Sequence, residues 1–140
     1  MYLVDTNVVS EIRKKRQADT GVRSFFREAG RADHPLYLSV VTIGELRRGV
    51  ELIRHRGDQS QARRLETWLT ELVSRYDSNI LDFTISEAQV WGRLRAPRHE
   101  NAIDKMIAAT ALTYDLTLVT RNTDDFVGTG ARLLNPFKGV

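Results

Sequence analysis

The chain contains no cysteine among its 140 residues, and this absence excludes several kinds of site. Disulfide bonds, zinc centres with thiolate ligands and cysteine nucleophiles all need the missing side chain. A hydrophobic core must therefore stabilise the fold, and a chain of this length buries one without cross-links. Because the absence is compatible with a reducing compartment, we expect the protein to be cytoplasmic.

Long apolar runs are also absent from the sequence. A membrane-spanning helix needs about 20 apolar residues, and Asp5 interrupts the N-terminal apolar segment where a signal peptide would continue it. The chain has no repeat or linker-like stretch, and its three prolines lie at expected connections, at Pro35, Pro97 and Pro136. We therefore predict a single domain over residues 1–140 with no membrane partner.

Lysine is scarce relative to arginine. Four of the 21 basic residues are lysines, which leaves 17 arginines, and the net charge is +3. Arginine binds phosphate in a bidentate manner and stacks on nucleobases, so the composition favours a nucleic acid partner. An arginine-rich solvated surface has the same composition, and charge alone leaves both interpretations open.

Short apolar segments alternate with amphipathic helical patterns along the chain. The strand-like segments lie at residues 2–4, 36–38, 80–81, 116–119 and 132–134. Apolar side chains at helical spacing predict helices over residues 8–12, 20–28, 43–53, 62–76, 85–94 and 103–114. This alternation predicts an α/β fold in which helices cover both faces of a mainly parallel sheet.

Four acidic side chains are expected at one edge of that sheet. Asp5 directly follows the first strand, and Glu45 lies one turn into the helix after the second. Asp104 opens a later helix, and Asp125 follows the fourth strand. Parallel sheets bind ligands outside the carboxyl ends of their strands. Each acid also has an ordinary structural explanation, as a helix cap, a first-turn acid or a solvated side chain.

Clustered carboxylates predict a particular chemistry. They repel one another and raise each other's pKa, and a divalent cation relieves that repulsion. Ligation by oxygen alone favours Mg2+ or Mn2+. Such an ion activates water and neutralises the charge that develops on a phosphate under attack.

Four short motifs carry a resemblance to a known family. They are YLVDTNVVSE at residues 2–11, SVVTIGELRRG at 39–49, AIDKMIAATA at 102–111 and LVTRNTDDF at 118–126, and the tail LNPF at 134–137 is also similar. In this order they resemble the PIN-domain ribonucleases, specifically VapC-type toxins of bacterial type II toxin–antitoxin pairs and their FitB-like branch. The resemblance implies a three-layer PIN-like fold, with a central, mainly parallel twisted sheet flanked by helices.

The resemblance also assigns roles to individual residues. It implies an endoribonuclease of transfer or ribosomal RNA, with a catalytic cluster of Asp5, Glu45, Asp104 and Asp125. Asp5 and Asp104 would bind Mg2+ or Mn2+. Supporting hydrogen bonds are expected from Thr6, Thr120 and Asn122. Contacts with the RNA backbone are expected from Arg47, Arg48 and Arg121.

The fourth motif departs from the family's fuller pattern. Many relatives carry an acid where this chain has Asn122, which adds no negative charge. Either Asp125 supplies the fourth charge or the site functions with three acids. The number of metal ions is open for the same reason.

Two protein partners follow from the resemblance. One is a cognate antitoxin, which in this family covers the active site and often inserts a basic side chain into the acid cluster. The other is a second copy of the chain, since these toxins usually form homodimers. Trp68, on one of the middle helices, suits an interface or the hydrophobic core.

Two rival functions remain to be weighed. A haloacid-dehalogenase-like phosphatase needs a second aspartate two residues after Asp5, and this chain has Asn7 there. The other rival is a catalytically inactive PIN-like module that only binds RNA or a partner, although the retained acids argue against it. A histidine acid–base pair is not expected, because polar, loop-like stretches contain His34, His55 and His99.

Overall fold

A computed structural model of the chain describes residues 1–138. Its strands are β1 (Tyr2–Val4), β2 (Leu36–Ser39), β3 (Ile80–Leu81), β4 (Thr117–Val119) and β5 (Leu133–Leu134). Its helices are α1 (Thr6–Ile12), α2 (Thr20–Arg31), α3 (Val40–His55), α4 (Gln59–Arg75), α5 (Ile85–Arg95) and α6 (Ala102–Thr113). Short 3-10 turns lie at Lys15–Gln17, Asp77–Asn79 and Thr123–Phe126.

The five strands form one parallel sheet in the order β3-β2-β1-β4-β5. The chain adds β2 and β3 on one side of β1, and then returns to add β4 and β5 on the other side. The strand order therefore reverses between β1 and β4. Their carboxyl ends border the crevice in which open α/β sheets bind ligands.

Alternate residues of the central strands point into two separate cores. One core lies against α1 to α4 and takes up Val4, Leu38 and Val119 from the sheet. The other lies against α5 and α6 and takes up Leu3, Tyr37 and Leu118. Because successive strand residues face opposite sides, both faces of the sheet are covered. The predicted three-layer α/β fold is confirmed.

Side-chain caps fix where several helices begin. The carboxylate of Asp19 accepts hydrogen bonds from the N–H groups of Gly21 and Val22 at the start of α2. Ser39 caps α3, and Asp58 caps α4. Caps of this kind contribute about 1 kcal/mol each to helix stability. The α3 cap directly follows β2, so it also sets the helix phase that places Glu45 near the sheet edge.

Many helix and strand boundaries differ by one to three residues from those that the sequence predicted. α2 continues to Arg31 because Ala29 is still buried on its inner face. The ladder of β4 begins at Thr117, although the preceding Leu116 is buried. His55 does not lie in a loop but in the last turn of α3. A basic side chain at that end of a helix interacts favourably with the helix dipole.

The two other histidines lie where the sequence predicted them. His34 and His99 are exposed and lie outside helices and strands. Within residues 1–138, no helix combines the length and apolar character needed to cross a bilayer. The predicted single domain extends over residues 1–140, and its last two residues lie outside the described part of the chain.

Candidate active site

Asp5 lies at the end of β1, beside the crevice between β1 and β4. Its N–H donates to the carbonyl of Val119 at 2.9 Å, and only 4% of the residue is exposed. The carboxylate accepts hydrogen bonds from Thr6 N and Thr120 Oγ1, both at 2.8 Å, and from Asn7 Nδ2 at 3.3 Å. Burial raises the pKa of Asp5 above its ordinary value, while these hydrogen bonds act in the opposite direction.

Thr120 and Asn7 together join the segments that follow β4 and β1. Thr120 Oγ1 donates to Asp5 and accepts from Asn122 N at 3.1 Å. Asn7 Nδ2 lies 3.3 Å from Thr120 Oγ1, and Asn7 Oδ1 accepts from Arg121 N at 3.0 Å. The predicted supporting position of Thr120 fits this geometry. The sequence indicated only that Asn7 is not the second aspartate of a phosphatase. In the structure its side-chain amide contacts Asp5, Thr120 and the N–H of Arg121.

Glu45 is held at the site by a residue from another element. Thr6 Oγ1 donates to Glu45 Oε1 at 2.7 Å and lies 3.3 Å from Thr42 Oγ1. Thr42 is fully buried on α3, and the sequence analysis did not identify it. Its only signal in the sequence is its position one helical turn before Glu45 on the same face. Thr6 therefore connects the two acids, because its backbone N–H bonds to Asp5 and its hydroxyl bonds to Glu45.

Asp104 shows that all four acids share one electrostatic environment. It lies half-buried in the first turn of α6, and its pKa is raised to about 6. Desolvation is the largest cause, and the negative charges of Asp5, Asp125 and Glu45 add to it, while Lys105 acts in the opposite direction. The charges of Asp5, Asp125 and Glu45 thus all act on Asp104, and Thr6 bonds to both Asp5 and Glu45. The four acids lie near the same ends of the strands, where the sheet topology predicted them.

The fourth motif forms a 3-10 turn that buried Phe126 anchors in the second core. Asp125 N donates to the carbonyl of Asn122 at 3.0 Å, and the Asp125 charge contributes to the raised pKa of Asp104. Asn122 is exposed, and its side chain does not cap the turn. Asp125 therefore adds its negative charge to those of Asp5, Glu45 and Asp104.

The donor chemistry of these residues fits a divalent cation. Mg2+ and Mn2+ bind hard oxygen ligands such as carboxylates. The mutual repulsion of these carboxylates, which raises the pKa of Asp104, would be relieved by such a cation. Within residues 1–138, however, no three acidic or histidine side chains already form a metal-binding group. Mg2+ is commonly bound through one or two carboxylates, with water and phosphate oxygens as its other ligands. An ion held in that way would need two carboxylates from the protein, and Asp5 and Asp104 would be the residues to supply them.

The three arginines predicted to contact RNA have different surroundings. Arg47 Nη1 donates to Glu66 Oε2 at 2.7 Å and to Glu51 Oε2 at 3.3 Å, so a phosphate would have to compete with two carboxylates. Arg48 is exposed on α3, and Arg121 is exposed directly after β4. A role in RNA binding stays a prediction for all three.

A groove of about 470 Å³ lies between α1, α2 and α4. Its apolar lining includes Ile12, Phe26, Leu65, Trp68 and Leu72, and its basic rim includes Arg13, Lys15, Arg64 and Arg75. None of the four acids lines it. Trp68 is half-buried, packs against the first core and also faces this groove, so it serves core packing and a surface at once.

Comparisons with known proteins identify relatives of this chain. Toxin FitB of Neisseria gonorrhoeae is 33% identical over 98% of this chain and 99% of its own. Ribonuclease VapC4 of Mycobacterium tuberculosis is 38% identical over 62% of this chain and 66% of its own. The crystal structure of FitAcB from Neisseria gonorrhoeae superposes with a TM-score of 0.83 and 32% identity, covering 97% of this chain and 98% of that one.

The family assignment rests on nearly the whole fold. The PIN domain family matches residues 2–130, which include every strand but β5 and all four of the acids described above. The match agrees with the resemblance carried by the four sequence motifs. The chain belongs to the PIN-domain family.

Proposed function

We propose that the chain is a metal-dependent endoribonuclease and the toxin of a bacterial toxin–antitoxin pair. The proposed reaction is hydrolysis of phosphodiester bonds in transfer or ribosomal RNA. The observation that carries this proposal is the position of Asp5, Glu45, Asp104 and Asp125 beside the crevice between β1 and β4, where desolvation and the charges of the other three acids raise the pKa of Asp104 to about 6. Relatives named as a ribonuclease and as a toxin support it.

Asp5 and Asp104 are the residues that would hold Mg2+ or Mn2+. Glu45 and Asp125 would complete the cluster directly or through water. When bound, such an ion lowers the pKa of a coordinated water and neutralises charge on the phosphate. Asp5 suits this role because its hydrogen bonds with Thr6 and Thr120 fix the orientation of its carboxylate.

Glu45 has one carboxylate oxygen held and one available. Thr6 occupies Oε1, and Oε2 has no hydrogen-bond partner among the described residues. We propose that Oε2 accepts a hydrogen bond from the attacking water and orients it toward the phosphorus atom. A carboxylate fixed at one oxygen keeps the other in place, and such positioning is a large part of the catalysis of phosphoryl transfer.

Exposed polar side chains around the cluster would contact the RNA. Arg48 and Arg121 are exposed, whereas Arg47 is engaged by two carboxylates. We propose that Arg48 and Arg121 bind backbone phosphates, which gives affinity without sequence preference. Asn122 is exposed next to Arg121, where its amide can donate to a phosphate oxygen or to a metal-bound water.

A cognate antitoxin is the proposed protein partner. The groove between α1, α2 and α4 has an apolar lining and a rim of basic side chains. These features suit an amphipathic antitoxin segment with acidic flanking residues, which would insert apolar anchors at i and i+4 positions. A basic side chain further along the same segment would then reach the acids and block them.

A second copy of the chain is the other proposed partner. Ile85 at the start of α5 is 80% exposed, and Tyr114 after α6 is 43% exposed. The Glu87 carboxylate interacts with the Tyr114 hydroxyl, so these two apolar side chains belong to the same end of the α5–α6 pair. Exposed apolar residues in such a position favour a homodimer contact.

Cleavage of total bacterial RNA tests the proposed function. The purified chain would be assayed with Mg2+, with Mn2+ and with a chelator, after removal of any bound antitoxin. Discrete products that need the metal support the proposal, and mapping their ends identifies the RNA. Binding of RNA without cleavage in either metal would instead support the inactive binding module, and cleavage that persists in chelator would contradict the metal dependence.

A further inference from the structure

Arg121 has a backbone position fixed beside the acid cluster. Its N–H donates to Asn7 Oδ1 at 3.0 Å. The preceding residue, Thr120, donates its hydroxyl to Asp5 at 2.8 Å. These two hydrogen bonds hold the Arg121 backbone next to Asp5, so the arginine side chain starts beside the acid cluster.

The guanidinium of Arg121 is stacked but not paired. Its Cζ atom lies 4.7 Å from the centroid of the Phe137 ring, within the range of a cation–π interaction. Arg47 and Arg132, by contrast, form ion pairs with carboxylates. Among the described residues, no hydrogen bond or ion pair engages the Arg121 guanidinium. Stacking occupies the face of the group and leaves its N–H edge free for an anion.

Phe137 is itself held firmly against the body of the protein. Its ring packs on the first core, and the N–H of the next residue, Lys138, donates to Asp19 Oδ1 at 3.1 Å. The carbonyl of Pro136 lies so close to α2 that a Cβ at Gly21 would approach it to 2.1 Å. Glycine at position 21 is therefore required for the tail to pack there, and the tail presents a fixed ring to Arg121.

We infer that Phe137 is a positioning residue for substrate binding, which holds Arg121 so that its free edge binds an RNA phosphate beside the acid cluster. This inference rests on the proposed nuclease function and assigns a substrate-binding role to the C-terminal tail. A restrained arginine loses less side-chain entropy on binding than a mobile one. The benefit therefore falls on RNA affinity and KM, and kcat changes little.

The test uses two readouts and a graded set of variants in the full chain. RNA affinity is measured with a short labelled single-stranded RNA, over a range of salt concentrations and in the Asp104→Asn background, so that no cleavage occurs. KM and kcat are measured in the active background. Phe137→Leu keeps apolar packing but removes the ring, and Phe137→Trp keeps a π face. Arg31→Ala is the control, because Arg31 ends α2 shortly before the amino end of β2, whereas the acids lie at the carboxyl ends of the strands.

The expected results separate positioning from simple packing. Arg121→Ala weakens RNA binding about tenfold and lowers the slope of log Kd against log salt by about 0.7, the loss of one phosphate contact on a single strand. Phe137→Leu raises KM roughly two- to fivefold, the magnitude of an exposed cation–π contact, and leaves kcat nearly unchanged. Phe137→Trp restores KM, and Arg31→Ala binds as the wild type does. The Arg121→Ala/Phe137→Leu double variant is no weaker than Arg121→Ala, because both changes remove one interaction.

Arg121→Lys gives a test that is independent of folding at position 137. Lysine keeps the charge but loses the planar stacking and the bidentate edge, so RNA affinity falls toward that of Arg121→Ala. An Arg121→Lys variant that binds RNA as tightly as the wild type would overturn the inference. So would additive losses of RNA affinity in the Arg121→Ala/Phe137→Leu double variant. If wild-type chain cuts RNA and Phe137→Leu matches it in KM, the inference fails while the nuclease stands. If the wild type binds no RNA at all, both fail.

Discussion

Thr120 donates a buried hydrogen bond of 2.8 Å to Asp5, a residue 115 positions away in the chain. This bond joins the carboxyl ends of β4 and β1 at the point where the strand order reverses. It also orients the carboxylate that the proposed mechanism needs for metal binding. The orientation of Asp5 therefore depends on a neutral hydroxyl group.

Replacement of Thr120 by valine keeps the shape of the side chain and removes this hydroxyl. We expect Thr120→Val to destabilise the fold by about 1–3 kcal/mol, because a buried hydrogen bond to a charged group is lost. Cleavage should fall as well, since Asp5 loses its orientation. Urea unfolding and a cleavage assay measure the two effects. Thr120→Ser is the control and should retain both properties. A valine variant as stable and active as the wild type would contradict the role of the hydroxyl, and a serine variant as impaired as valine would show that the hydroxyl alone does not hold Asp5.

The raised pKa of Asp104 predicts a pH dependence of stability in the metal-free protein. The carboxyl titrates near pH 6 in the folded chain and at about 3.8 when unfolded. The folded state therefore binds more protons between these values, and the free energy of unfolding falls as the pH rises from about 4 to about 6. Asp104→Asn should reduce this decrease, while Asp5, whose pKa is raised too, maintains the rest. The variant should be more stable at pH 7 by about 1 kcal/mol, because the half-exposed group is partly screened. Parallel stability curves for the two proteins would contradict this.

Metal addition should stabilise the wild-type chain, since cation binding relieves the repulsion among the acids. Mg2+ or Mn2+ at a hundred times its dissociation constant should raise the free energy of unfolding by about 2.7 kcal/mol. The thermal unfolding midpoint reports this change, and the shift should grow as the pH rises above about 6, where Asp104 loses its proton. In Asp104→Asn the shift should nearly disappear; an equal shift in both proteins would place the metal elsewhere.

Exchanging the carboxylate of Asp125 and the amide of Asn122 tests which position supplies the fourth negative charge. Asp125→Asn should slow cleavage and lower the pKa of Asp104, because one of the charges that raise it is removed. Asn122→Asp in the same chain should restore part of the lost activity if total charge is what the site needs. NMR titration of the Asp104 carboxyl and cleavage rates give the two measurements. An Asp125→Asn chain with unchanged rate would mean that three acids suffice.

The fold could be predicted from the sequence because its signals are local. Alternating strand-like and helical patterns required a covered parallel sheet, and carboxyl ends of parallel strands share one edge. That rule alone brought Asp5, Glu45, Asp104 and Asp125 together. Boundaries were less certain, as His55 shows, because the end of a helix depends on weak terminal interactions.

The side-chain connections of the site could not be predicted. The amide of Asn7 reaches residues more than a hundred positions away, and such contacts depend on packing that no local pattern encodes. The ion pair of Arg47 with Glu66 likewise forms only because α3 and α4 pack together. The sequence predicted which residues lie near the site, whereas the structure shows which of their side chains already bond to other residues.

Single-turnover RNA cleavage by the wild type, Asp104→Asn and Asp124→Asn tests whether the acid cluster is the active site. Asp124 is exposed in the same turn as Asp125, so its replacement makes the same charge change without altering the proposed cluster. With Mg2+ or Mn2+ present, we expect the wild type and Asp124→Asn to cut alike, and Asp104→Asn to be slower by about 100-fold or more. Equal rates for all three proteins would contradict the assignment of the acid cluster as the active site.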